Sequence, residues 1–183
     1  MPTYNFVTGK KEYKNKLKIE KNGILIIEGL HSLNDELTRA IDSNKKYKIY
    51  ISPLTCLNLD NHTRLNTSDN RLIRRIVRDN LRRGYTASNT LASWGEVREG
   101  ETKYVFPFQD TADVVLNTSY IYEMNVLKVY AEPLLFSVER EDPNYTEAMR
   151  LINILRTVLP MPAASIPFDS ILREFIGSGC FDE

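Results

Sequence analysis

Ile24-Leu25-Ile26-Ile27-Glu28-Gly29 follows the turn signal Asn22-Gly23, and its reading sets the frame for the rest of the chain. The four apolar residues do not alternate with polar ones and are rich in branched side chains. Such a run predicts a short strand buried on both faces, as in a parallel sheet. Two more runs have this character. One is Tyr47-Lys48-Ile49-Tyr50-Ile51, closed by Ser52-Pro53, and the other is Asp113-Val114-Val115-Leu116-Asn117. Helical patterns lie between and after them. Residues 34–41 form a short, polar-flanked one, residues 69–83 a long amphipathic one, and residues 120–131 follow the third strand. Parallel strands need crossover connections, so this alternation predicts an α/β layer architecture.

Beyond this alternation the pattern becomes helical. From Pro143 onward, Ala148, Leu151, Ile152 and Leu155 share one helix face, until Pro160-Met161-Pro162 ends it. Ser170 is placed to cap a last short helix, residues 171–176, stopped by Gly177. The expectation is an α/β part over residues 1–142 with a helical tail, residues 143–183, packed on it.

Two local features carry chemistry. In the first, an apolar strand ends in Glu28-Gly29, the layout of a Walker B element. There the strand sets a carboxylate at the sheet's C-terminal edge, within reach of Mg²⁺. The same pattern also describes an ordinary strand–turn boundary. In the second, at about 100° per residue, Arg71, Arg74, Arg75, Arg78 and Arg82 share one stripe of a helix, opposite Leu72, Ile73, Ile76, Val77 and Leu81. Like charges at helical neighbour spacing repel, and Asp79 is read as too little to neutralise them. The stripe is either a phosphate-gripping surface, which suits the bidentate guanidinium fork, or a solvated face paired to acids elsewhere in the fold. Gly84 is a natural left-handed cap, and polar residues 86–90 read as a loop before a short helix around Trp94 and Val97. A basic helix, a Gly hinge and a polar loop together have the makings of a lid over residues 69–100. Tyr4 and Phe6 place two rings two residues apart, for stacking on a base or for packing an edge strand.

The bulk composition narrows the function classes. The formal net charge is zero, with 24 basic and 24 acidic residues, which argues against a general nucleic-acid or membrane-surface binder. Cys56 and Cys180 lie far apart and read as two free thiols. No apolar run reaches membrane-spanning length, and the N-terminus has no basic region followed by an apolar stretch. A cytoplasmic protein without a membrane span is the expectation. His31 and His62 have no second ligand at metal spacing.

On these residues the chain resembles the uridine kinase/phosphoribulokinase family of P-loop kinases. Pro2-Thr3-Tyr4-Asn5-Phe6 is similar to its substrate-side segment, and residues 24–29 look like its strand with a Walker-B-like Glu. Arg71-Leu72 through Arg74-Arg75, Arg78-Asp79 and Arg83-Gly84 resemble its lid helix. Val97-Arg98, Phe106-Pro107-Phe108-Gln109, Ala112-Asp113-Val114 and residues 170–177 are similar to a bacterial branch that carries extra N-terminal domains related to threonyl-tRNA synthetase. The resemblance implies a partial P-loop NTPase sheet flanked by helices, with ATP and Mg²⁺ as cofactors and a nucleoside or similar acceptor. It gives Glu28 the metal and catalytic role, Arg75, Arg78 and Arg83 the phosphates, and Tyr4 and Phe6 the acceptor.

The sequence departs from this pattern in three ways. No G-x-x-x-x-G-K-[ST] phosphate loop occurs in it. In the family that loop lies upstream of a segment like residues 2–6, so the resemblance implies a C-terminal part that lacks turnover alone and whose partner is the missing N-terminal kinase segment. Asn5 replaces the usual Asp, and Gly9 and Tyr85 replace a pocket His and a lid Arg, which leaves the acceptor open. A homo-oligomer is left open as well.

Overall fold

A computed structural model describes residues 2–5, 10–13 and 18–181. Phe6 lies outside the described residues. β1 (Pro2–Asn5) and β2 (Lys10–Tyr13) form an antiparallel pair in which Tyr4 stands opposite Lys11. β3 (Ile49–Ser52) and β4 (Val114–Asn117) pair in parallel, with Ile49 opposite Val114 and Ser52 opposite Asn117. The crossover between them contains α1 (Thr67–Arg83) and α2 (Ala87–Tyr104). α3 (Glu123–Phe136), α4 (Tyr145–Arg156) and the one-turn α5 (Arg173–Ile176) follow. The α/β expectation holds at this level, as helices around a two-stranded parallel sheet.

Polar side chains close the sheet at both ends. At its start, Lys48 N–H donates to the Asp113 carboxylate at 2.7 Å. At its C-terminal edge, the Asn117 amide accepts from Leu54 N–H and donates to Leu54 C=O, both at 2.9 Å. It substitutes for a backbone partner just where the strands end.

α1 is specified locally. The Asn66 side chain caps it by accepting from Ser68 N–H at 2.8 Å, Asp69 sits in the first turn, and Arg82 and Arg83 in the last, as the helix dipole favours. Gly84 ends it at φ 66°, a conformation in which any Cβ is strained. Leu72, Ile73, Ile76 and Val77 are buried as expected, whereas Leu81 is exposed. They pack with Met124 and Leu127 of α3, Leu151, Ile152 and Leu155 of α4, and Leu172 ahead of α5. The core is therefore helix against helix, with α4 presenting the face its spacing predicts.

Three expectations fail here. The run Ile24–Ile27 is not a strand, and Ile24 and Ile26 are 91% and 87% exposed. An apolar run takes strand form only where a ladder neighbour and covering layers exist, and no described element supplies them. Residues 34–41 hold only a 3₁₀ turn, Asp35–Thr38, capped by Asn34. Residues 86–90 are not a loop. Thr86 and Asn89 form a capping box that starts α2 at Ala87. Asn in place of the usual Glu or Gln at the third helical position disguised it.

The expected burial of these strands on both faces is not met: β3 is covered on one face and β4 on neither, because the described helices pack on one another rather than over the sheet. Tyr50 and Ser52 of β3 turn inward, while Ile49 and Ile51 remain exposed, as do all four residues of β4. Among the described residues, no helix is long and apolar enough to cross a membrane.

Candidate phosphate-binding site

The arginine stripe of α1 divides into an inner and an outer group. Arg71 grips Glu101 of α2 with two donors, one at 2.7 Å, and Glu101 is buried. Arg74 is itself buried. It pairs with Glu123 of α3, donates to Thr118 C=O at 2.7 Å and lies 5.0 Å from the Phe175 ring centroid. Glu123 is fully buried and also accepts from Asn70 and from Tyr120 N–H. These two arginines are committed to acids on neighbouring helices and join α1 to them.

The outer group stays near solvent. Arg75 Nε stands 3.1 Å from one oxygen of Asp79, and Arg83 donates to the other at 2.9 Å. Asp79 is 2% exposed. The expectation that Asp79 leaves the stripe unneutralised is thus corrected. It lies four residues from each arginine, so one carboxylate bridges both across successive turns. Arg78, half exposed, pairs with the half-exposed Glu174 at 2.8 Å.

Arg78, Arg82 and Arg83 line one cavity of about 550 Å³ between the C-terminal half of α1 and the segment 168–181. Arg75 is absent from that lining, although it shares Asp79 with Arg83. The structure thus brings Arg78 and Arg83 together. Glu28 is not among the residues that line this cavity. Glu28 is exposed in an irregular segment, and Tyr4 belongs to β1. Among the described residues, no group of three or more His, Cys, Asp or Glu could hold a metal ion. Cys56 and Cys180 are free thiols. His31 is exposed, with its ring edge-on to Tyr104 at 5.3 Å.

The acids that organise the stripe were the residues sequence reasoning missed. Asp79 was detectable from its i±4 spacing. Glu101, Glu123 and Glu174 had no local signal, because they lie 30–96 residues from the arginines they meet.

With this geometry in hand, the comparison with known proteins adds a family. Residues 1–122 match the phosphoribulokinase/uridine kinase family. The chain belongs to that family. The family-matched segment contains β1 to β4, α1 and α2, and hence every arginine of the stripe. Phosphoribulokinase of Synechocystis sp. is 31% identical over 115 residues, covering 63% of this chain. The aligned region is 29% of that relative's length. No solved structure matches the chain. The pocket therefore has one wall inside the family-matched segment and one beyond it, since Phe168 to Phe181 lie C-terminal to residue 122.

Proposed function

We propose that this chain supplies the phosphate-gripping part of an ATP-dependent kinase that transfers a phosphoryl group to a hydroxyl of a nucleoside or similar small acceptor. The observation that carries the reading is the convergence of Arg78 and Arg83 on one cavity, in a segment that belongs to a kinase family. Phosphoryl transfer asks a protein mainly for positioning and charge stabilisation. Arg78 and Arg83 suit that task. Each side chain is about half exposed, at 48% and 50%, and Arg78 has an exposed carboxylate partner, Glu174, that an incoming phosphate oxygen can replace, while the buried Asp79 holds Arg83 in place from behind. Arg75 acts with them by sharing Asp79.

Glu28 is the proposed Mg²⁺ residue, Tyr4 and Phe6 the proposed acceptor contacts. Mg²⁺ commonly uses one or two carboxylates together with substrate phosphates and waters, and it would neutralise charge on the transferring group. The described residues do not by themselves fit an all-protein Mg²⁺ site, because Glu28 stands apart from other acids. The open face of the β3–β4 sheet and the exposed run Ile24–Ile27 supply a large apolar surface. In this reading it is covered by the rest of the kinase domain, in a parent of the branch with threonyl-tRNA-synthetase-like N-terminal domains, working in the cytoplasm.

A second reading, a non-catalytic module of kinase fold, draws on the pairing of Arg71, Arg74, Arg75 and Arg78 with carboxylates within the fold. Phosphoryl transfer from ATP to uridine, cytidine or ribulose 5-phosphate separates the two. The 183-residue chain, whose sequence holds no phosphate-loop motif, is expected to show none. A parent that includes the family's phosphate loop is expected to turn over, and Arg78→Ala in it to lower kcat/KM at least about tenfold, as for loss of one charge-assisted contact. An inactive parent decides for the non-catalytic reading, and an active parent that Arg78→Ala leaves unchanged removes Arg78 from the phosphate site.

A further inference from the structure

The cavity beside Arg78 has a wall that the family match does not reach. That wall is held from within. Arg173 is 7% exposed and donates to the carbonyls of Ala163 at 2.9 Å, Ile166 at 2.5 Å, and Pro167 and Gly177 at 3.4 Å. Four carbonyls around one guanidinium fold the segment 163–177 into a fixed loop. Leu172 and Ile176 bury on the core, and Gly177, at φ 82°, lets the chain turn closely past Leu81 of α1. The wall is therefore preformed, and it carries Glu174 to Arg78.

We propose that the C-terminal segment 168–181 is a functional wall of the phosphate site, and that Glu174 occupies Arg78 as an internal substitute for a phosphate group. The inference rests on the phosphate reading of Arg78 given above. The charges facing the cavity are Arg78, Arg82, Arg83 and Arg173 against Asp169 and Glu174, with Asp79 behind Arg83. A polyphosphate carries more charge than the single carboxylate it displaces. The Arg78–Glu174 pair is also the exchangeable one, since both side chains are about half exposed, at 48% and 50%, and such pairs contribute little stability. The acids on Arg71 and Arg74 are buried and cannot be displaced by an entering ligand. Glu174 thus sets how tightly the site holds phosphate. Weak anions leave Arg78 latched to the tail, and a di- or triphosphate releases it.

The test is calorimetric titration of inorganic tripolyphosphate into the full 183-residue chain at low and high NaCl. Five proteins are compared: wild type, Glu174→Gln, Arg78→Ala, the double variant of these two, and Glu141→Gln, which removes an exposed acid outside the cavity lining. Glu174→Gln is expected to bind about three- to fivefold tighter than wild type at low salt, the size of an exposed ion pair. The gap should narrow at high salt. Arg78→Ala should bind more weakly, and adding Glu174→Gln to it should restore little. If Arg78→Ala weakens binding but Glu174→Gln gains nothing, or gains no more than Glu141→Gln, the tail's role is overturned while the phosphate reading stands. If wild type does not bind, or Arg78→Ala binds as wild type does, the phosphate reading itself falls and takes this inference with it.

Discussion

Five arginines on one stripe are not equivalent, and burial separates their roles. Arg74 is 5% exposed and bonded to a carboxylate that is fully buried. Removing one member of such a pair leaves an uncompensated charge inside the protein, and the typical cost is about 3–5 kcal/mol. Arg78, about one helical turn after Arg74, is half exposed and pairs with a half-exposed partner, so its contribution to stability is about 0–1 kcal/mol. Urea denaturation should therefore show Arg74→Ala losing several kcal/mol and Arg78→Ala losing almost none. Pyrophosphate, added to thermal melts of wild type and Arg78→Ala, should stabilise the first more than the second, with the difference shrinking as NaCl rises. A helix whose two variants lose equal stability would not have the inner–outer division seen here.

At the scale of elements, α2 and α4 meet through the apolar core and through one carboxylate at their N-terminal ends. Asp142 accepts from the Ser88 hydroxyl at 2.5 Å and from Asn144 N–H at 2.7 Å, tying the first turn of α2 to the residues that open α4. The hydrogen bond from Ser88, then that from Asn144 N–H, holds the Asp142 carboxyl below its ordinary value, and the smaller effect of desolvation opposes them. A carboxylate whose pKa is lower in the folded state adds stability above its unfolded pKa. That stability is lost as pH falls through the folded value. Below about pH 4, the ordinary carboxylate range, the wild type should destabilise more steeply than Asp142→Asn. Denaturation midpoints measured between neutral and acidic pH check this. Parallel curves for the two proteins would show that Asp142 does not couple the junction to protonation.

For the whole molecule, the notable property is a sheet left open. Ile51 is 60% exposed on β3, Val115 and Leu116 are each 50% exposed on β4, and Ile24 and Ile26 add more apolar surface. Exposed apolar surface on both faces of a sheet marks a place where something docks. The isolated chain is expected to self-associate as its concentration rises, which light scattering after size exclusion would measure. Ile51→Lys should reduce that association and hardly change the melting temperature, because the side chain it replaces is mostly in water already. A strictly monomeric wild type, or a large loss of stability in Ile51→Lys, would mean the surface is not an exposed docking face.

The sequence by itself determined the parts of this protein that depend on near neighbours. The apolar faces of α1 and α4, the Gly84 cap and the strands β3 and β4 themselves were all legible, and so was the family, because its arginine-helix motif is long and continuous. Helical hydrogen bonds join residues four apart, so spacing and caps suffice to place a helix. Residues 24–29 read equally well as a buried strand, yet they lie exposed, since a strand exists only through a partner that the chain brings from elsewhere. Only the tertiary structure decided which arginines are structural. Arg71 and Arg74 meet acids 30 and 49 residues away, and Arg78 meets one 96 residues away. An ion pair is set by distance in space and by the water removed around it. Neither can be read from charges along a helix until the fold has chosen what stands opposite them.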